Sequence, residues 1–135
     1  MYLLDTDIVI CALKGVPAVL RNFEHHREDR MAISVITYGE LVFGAEKSAR
    51  RTENLARVAK TAELYPVIDV SRPVMDTFGR LKAELARRGK PIDDFDLLIA
   101  ATTLTEGCCL VTGNTDHFSR IPNLRIENWT IPQAR

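Results

Sequence analysis

No apolar run in this sequence approaches the roughly 20 residues that a helix needs to cross a bilayer. The first residues carry neither a basic start nor a small-residue cleavage site, so no secretory leader is read there. The cytoplasm is the expected compartment, and no membrane partner is expected. Cysteine is scarce: Cys11, Cys108 and Cys109 are an odd number, and no two are spaced Cys-x-x-Cys. That arrangement offers neither a disulfide framework nor a zinc site, and buried thiols are the expectation. Charge of one sign is missing too, because 18 basic residues balance 18 acidic ones. Bulk charge therefore names no partner. There is no repeat, linker or low-complexity tract, and 135 residues suffice for one domain, residues 1–135, with its own core.

What is present is a regular alternation. "MYLLD" reads as a short buried strand, followed by a helix from Thr6 to Lys14 that Gly15 and Pro17 end. A second helix runs from Pro17 to Arg27. "MAIS" (residues 31–34) is another strand, and Ser34 suits the N-cap of a helix running towards Ser48. Leu55, Val58, Ala59 and Ala62 mark an amphipathic helix over residues 52–64. "VIDV" (67–70) then reads as a strand and residues 71–88 as a helix, with Pro73 in its first turn and Gly89 just past its end. After "GKPID" come a helix over residues 94–106, the strand "CCLVT" (108–112) and a last strand, "LRIEN" (124–128). Short apolar strands alternating with helices imply an α/β fold with a parallel sheet covered on both faces. In such sheets the working site lies at the carboxyl ends of the strands.

The polar residues fall at those ends. Asp5 ends the first strand and Ser34 the second, with Glu40 in the helix that follows. Asp96 lies in the first turn of the helix after "GKPID", and Thr112 ends the fourth strand, with Asn114 and Asp116 just beyond. Glu40 stands among Ile36, Thr37, Phe43 and Gly44 at helical spacing, too apolar a face for a merely solvated acid. Two carboxylates about 4 Å apart repel by roughly 4 kcal/mol at an effective dielectric near 20. A hard divalent cation removes that conflict, and Mg²⁺ takes oxygen ligands while keeping several waters. Such an ion polarises a phosphoryl oxygen and activates water. Two basic stretches, over residues 47–60 and 80–90, are each locally +4. They read either as solvated helix faces or as a rim for phosphates.

At these residues the chain resembles VapC-type PIN-domain ribonucleases, the toxins of bacterial type II toxin–antitoxin pairs. The matching segments are "LLDTDIVI", "ISVITYGELVFGAEKS", "LKAELARRGKPIDDFDLLIAATT", "LVTGNTDHF" and "LRIENW", in the family's order. The resemblance implies a PIN-like α/β/α sandwich with a parallel sheet of about five strands. It implies Mg²⁺- or Mn²⁺-dependent endonuclease activity on structured RNA, tRNA or rRNA. Asp5 and Asp96 match the two principal metal-binding aspartates, and Glu40 matches the acid between them. The family often carries a fourth acid after the fourth strand; here that position is Asn114, which leaves Asn114 or Asp116 as weaker ligands. Thr6 and Thr112 match hydroxyl positions that hold the acids, and Ser34 ends the neighbouring strand. Asp7 stands where the family carries a polar residue, expected to cap the first helical turn or to steady the site from behind. Basic residues, chiefly Arg80, Lys82, Arg87, Arg88 and Lys90, would hold flanking phosphates. The implied partners are the RNA substrate, a cognate VapB antitoxin and a second copy of the chain, with DNA reached only through the antitoxin complex.

Two other readings stay open on residues alone. "DTDIV" also fits the signature of haloacid-dehalogenase-type phosphatases, with Asp5 as nucleophile and Asp7 as acid/base, although no lysine falls where that family needs one. A catalytically inactive PIN-fold binding protein is the other. Asp93 and Asp94 are expected to cap a helix, His25 and His26 to be solvated, and Trp129 to pack the last strand onto the domain. Tyr38 and Phe43 read as core or dimer surface. His117, a lone histidine near the site, is weak ground for a ligand.

Overall fold

The computed structural model describes residues 1–132. Its strands are β1 (Tyr2–Leu4), β2 (Met31–Ser34), β3 (Val67–Ile68), β4 (Cys109–Val111) and β5 (Ile126–Glu127). The helices are α1 (Thr6–Leu13), α2 (Pro17–His25), α3 (Val35–Glu46), α4 (Arg51–Leu64), α5 (Arg72–Arg87), α6 (Asp94–Thr105) and α7 (Thr115–Phe118). The strands form a sheet in the order β3-β2-β1-β4-β5, each pair parallel.

Alternation along the strands divides the core into two layers, because neighbouring side chains on a strand leave opposite faces. Leu3, Ala32 and Leu110 enter a cluster with Val74, Leu81 and Leu85 of α5 and Leu97, Ile99 and Ala100 of α6. Their neighbours Leu4, Ile33 and Val111 enter a second cluster with Ile8 and Val9 of α1, Val19 of α2, Leu41 and Ala45 of α3, Val58 of α4 and Trp129. Helices thus cover both faces, which gives the expected α/β/α sandwich. Both layers include side chains with no measurable exposure, among them Leu3, Leu4, Ile33, Leu110 and Trp129. No helix among the described residues is long and apolar enough to cross a membrane.

Several expectations need correction. β3 and β5 are only two residues long, shorter than "VIDV" and "LRIEN" suggest. Both are edge strands, and β3 pairs with β2 only through Ile33 and Ser34, after which α3 begins. α7 goes beyond the sequence reading; its four residues have no period to read. Cys108 is buried, but Cys11 and Cys109 are only half-buried. His26 is not solvated: its ring stacks on Trp129 with centroids 4.6 Å apart and planes 6° apart, and its Nδ1 meets Asp29 Oδ2 at 2.8 Å. Trp129 itself is fully buried, packed as expected, and its Nε1 donates to Glu127 Oε1 at 3.0 Å. Tyr38 packs against the second core cluster, whereas Phe43 is 65% exposed with Lys47 Nζ over its ring.

Candidate active site

The sheet order decides where the carboxylates meet. From β1 the chain moves to β2 and β3 on one side, then returns to place β4 and β5 on the other. The crevice between the carboxyl ends of β1 and β4 is therefore the point where the strand order reverses, the usual ligand position in an open α/β sheet.

Asp5 stands at that crevice, 6% exposed, as the N-cap of α1. Its Oδ1 accepts the Thr6 N–H at 2.8 Å, and its Oδ2 accepts the Thr112 hydroxyl from the end of β4 at 2.7 Å. Burial and the nearby Asp7 push its carboxyl up to about 7, against the pull of those two donors. One residue on, the Thr6 hydroxyl donates to Glu40 Oε1 of α3 at 2.6 Å and lies 3.1 Å from the Thr37 hydroxyl. That contact ties Glu40 to the first turn of α1, so an acid on an otherwise apolar helix has a specific partner.

Asp96 comes from the opposite layer, in the first turn of α6, whose N-cap Asp93 accepts the Phe95 N–H. Burial raises the Asp96 carboxyl; His117 opposes the rise, and Asp93, Glu40 and Asp7 add to it. The mutual action of these charges shows that Asp5, Asp7, Glu40 and Asp96 share one pocket. Among the described residues none of Asp5, Asp7 and Glu40 has an ion-pair partner, and Asp96 has His117 Nδ1 at 3.2 Å. His117 also lies 2.9 Å from the Asn114 amide, so α7 presents both side chains to the rim.

Asp7 does not cap α1, since Asp5 does. It reaches across the crevice instead, where its Oδ2 accepts the Gly113 N–H at 3.1 Å. A Cβ on Gly113 would lie 3.0 Å from that oxygen and 3.1 Å from Thr130 Cγ2, so the close approach calls for glycine. Neither Gly113 nor His117 stood out in the sequence as a site residue. The one available signal was the Asn114-to-His117 spacing of three, one helical turn.

The other sequence candidates spread out. Ser34 is fully buried and caps α3 through the Ile36 N–H. Asp116 is exposed and accepts from Ser119 through its backbone carbonyl. α5 and α6 run as an antiparallel pair, as the Thr77–Thr105 contact near one end and the Lys82–Asp94 ion pair near the other require. Arg87, Arg88 and Lys90 therefore lie at the Asp96 end of that pair, with Arg88 bonded to Glu84. Arg80 instead lines a groove with Leu104 and Thr105 at the far end of α6.

The donor set at the crevice is all oxygen, the preference of a hard divalent ion. Burial without counter-charge, and an Asp7 Oδ1 that is buried with no hydrogen-bond partner, fit such a group. Among the described residues no three acids, histidines or cysteines close around a point on their own. Mutually repelling carboxylates are not expected to do so, and Mg²⁺ binds only one or two directly.

The PIN-domain family model matches residues 2–124. Among curated proteins, the tRNA(fMet)-specific endonuclease VapC of Shigella flexneri is 37% identical over 129 residues, 96% of this chain and 98% of that protein. The chain belongs to the PIN-domain family, in its VapC type. Ribonuclease VapC2 of Haemophilus influenzae is 38% identical to this PIN-domain chain over 128 residues, covering 95% of it and 97% of the relative. Among solved structures, VapBC2 from Rickettsia felis bound to a promoter DNA fragment superposes with a TM-score of 0.89 at 35% identity, over 95% and 98% of the two chains. DNA-bound VapBC from Salmonella typhimurium gives 0.88 at 38% identity, over 95% and 97%. The phosphatase reading falls with this membership, and Asp5 loses the nucleophile's role it would have had there.

Proposed function

We propose that this PIN-domain chain, acting as one domain over residues 1–135, is a Mg²⁺-dependent endoribonuclease toxin that cuts a structured RNA of the tRNA or rRNA class. Asp5, Glu40 and Asp96 hold the ion, directly or through its waters, with Mn²⁺ able to replace it. The observation that carries this reading is the group of buried carboxylates without counter-charge at the β1/β4 crevice. Two relatives named as tRNA(fMet)-specific endonucleases support tRNA as the substrate class.

When bound, the ion polarises the scissile phosphate and lowers the pKa of a water for in-line attack. The chain's own residues prepare that step. Thr112 and the Thr6 N–H fix both oxygens of Asp5, the Thr6 hydroxyl fixes Glu40, and the α6 N-terminus sets Asp96 across from them. Arg87, Arg88 and Lys90 hold flanking phosphates by charge; Lys82, already paired with Asp94, contributes less.

The partner is a VapB-type antitoxin, through which alone the toxin meets DNA; the similar solved structures are VapBC complexes, two of them on DNA. A groove of about 270 Å³ next to Glu40, lined by Ile10, Leu13, Leu41 and Val58 with Lys14 and Arg57 at its rim, suits an apolar segment with acidic flanks. A homodimer belongs to the same reading, with the exposed Phe43 and Phe95 as apolar surface for it.

The test is cleavage of tRNA and rRNA fragments by purified chain freed of antitoxin. Mg²⁺-dependent cuts that vanish with chelator and with Asp5→Ala are expected. No metal-dependent cleavage by folded protein would overturn the enzyme and leave the binding-protein reading.

A further inference from the structure

Asp7 is the part of the pocket that the three-acid reading leaves unexplained. Its Oδ2 is anchored on the Gly113 N–H, but its Oδ1 is buried with no partner. An unpaired buried carboxylate oxygen is costly and calls for a ligand. Asp7 also bears on the pocket electrically, since its charge acts on both Asp5 and Asp96.

The anchor alone does not account for an acid at this position. The carbonyl oxygen of an asparagine would accept the Gly113 N–H equally well and would spare Asp5 and Asp96 the repulsion. A carboxylate is favoured only where its charge is used. Across the crevice the opposite holds. The end of β4, where an acid is expected by resemblance, carries Asn114, whose amide meets His117. Gly113 joins the two facts: it is next to Asn114 in the chain and hydrogen-bonded to Asp7 in space.

We propose that Asp7 supplies the fourth carboxylate of the metal site in place of Asn114, holding Gly113 with Oδ2 and leaving Oδ1 for the ion or one of its waters. This rests on the reading that Asp5, Glu40 and Asp96 hold Mg²⁺. The negative charge is thus delivered to the β4 end of the crevice from the first turn of α1. Asp116, exposed and turned to solvent, is not needed for it.

The test is calorimetric titration of Mg²⁺ into full-length protein, with melting temperatures recorded in chelator. The variants are Asp7→Asn, Asp7→Asn with Asn114→Asp, and Asp5→Asn. Asp7→Asn keeps the Gly113 bond and removes only the charge. It is expected to raise the metal-free melting temperature and to weaken Mg²⁺ binding by about tenfold or more. The added Asn114→Asp is expected to restore a large part of that loss. Wild-type affinity in Asp7→Asn, while Asp5→Asn loses the ion, would overturn the proposal and leave Asp7 as an anchor for Gly113. A fall in its metal-free melting temperature would overturn it as well, because the charge would then be structural. Absence of saturable Mg²⁺ binding by the wild type would remove the underlying metal reading, and this inference with it.

Discussion

The Thr112 hydroxyl donates to Asp5 Oδ2 at 2.7 Å and accepts the Asn114 N–H at 3.0 Å. One fully buried group thus fixes the carboxylate at the end of β1 and the first residues beyond β4. Thr112→Val keeps the shape and deletes both bonds, leaving Asp5 with one fewer donor. A loss of about 1–3 kcal/mol in stability is expected, together with a large loss of RNA cleavage; Thr112→Ser retains most of both. Urea unfolding and a cleavage assay on the same preparations check this.

The Asp5 carboxyl lies near 7 against an ordinary 3.8, so the folded protein binds more protons than the unfolded chain between those values. Stability of the metal-free protein therefore falls as pH rises through that window, the sign required when the native state binds more protons. The gain in melting temperature from Asp5→Asn in chelator should accordingly be larger at pH 8 than at pH 4. Excess Mg²⁺ should reverse the wild type's loss at pH 8, because the ion favours the ionised carboxyl. An Asp5→Asn effect independent of pH would contradict the raised carboxyl.

Gly113→Ala puts a methyl group 3.0 Å from Asp7 Oδ2 and 3.1 Å from Thr130 Cγ2. The loop must shift, at a cost of about 1–3 kcal/mol by analogy with overpacked cores. The shift also moves Asn114 and the loop that precedes α7. Thermal melts should show the loss, and combining Gly113→Ala with Asp7→Ala should cost less than the sum of the two.

Removing Arg87, Arg88 or Lys90 should weaken RNA binding and make its salt dependence shallower, by about one counterion per lost phosphate contact. Arg80→Ala should leave both unchanged, since Arg80 sits at the far end of α6. Fluorescence anisotropy over a salt series with a catalytically dead background separates these outcomes.

Much of this architecture can be read locally. "MAIS" is a strand to the residue because Ala32 and Ile33 must enter different layers and Ser34 caps the next helix. Asp5, Glu40 and Asp96 could be nominated because each is an acid in apolar company at a strand end or in the helix after one. The readings that went wrong depend on distant partners. "EHHRED" is polar enough for solvent, yet His26 finds Trp129 more than a hundred residues later. Asp7 looks like a helix cap until the β4 loop is placed beside it. The two-residue lengths of β3 and β5 follow from having one neighbour each, which no local pattern records.

The central place of β1 has a consequence for synthesis. Its carboxylate is completed by Thr112, and Asp7 by Gly113, over a hundred residues downstream. A ribosome must translate almost the whole message before the pocket can close. Nascent or prematurely terminated chains are therefore expected to be harmless, and a chain stopped after Cys108 should leave growing cells untouched even when abundant. The fold itself would then act as a timer, arming the nuclease only when its last third has been made.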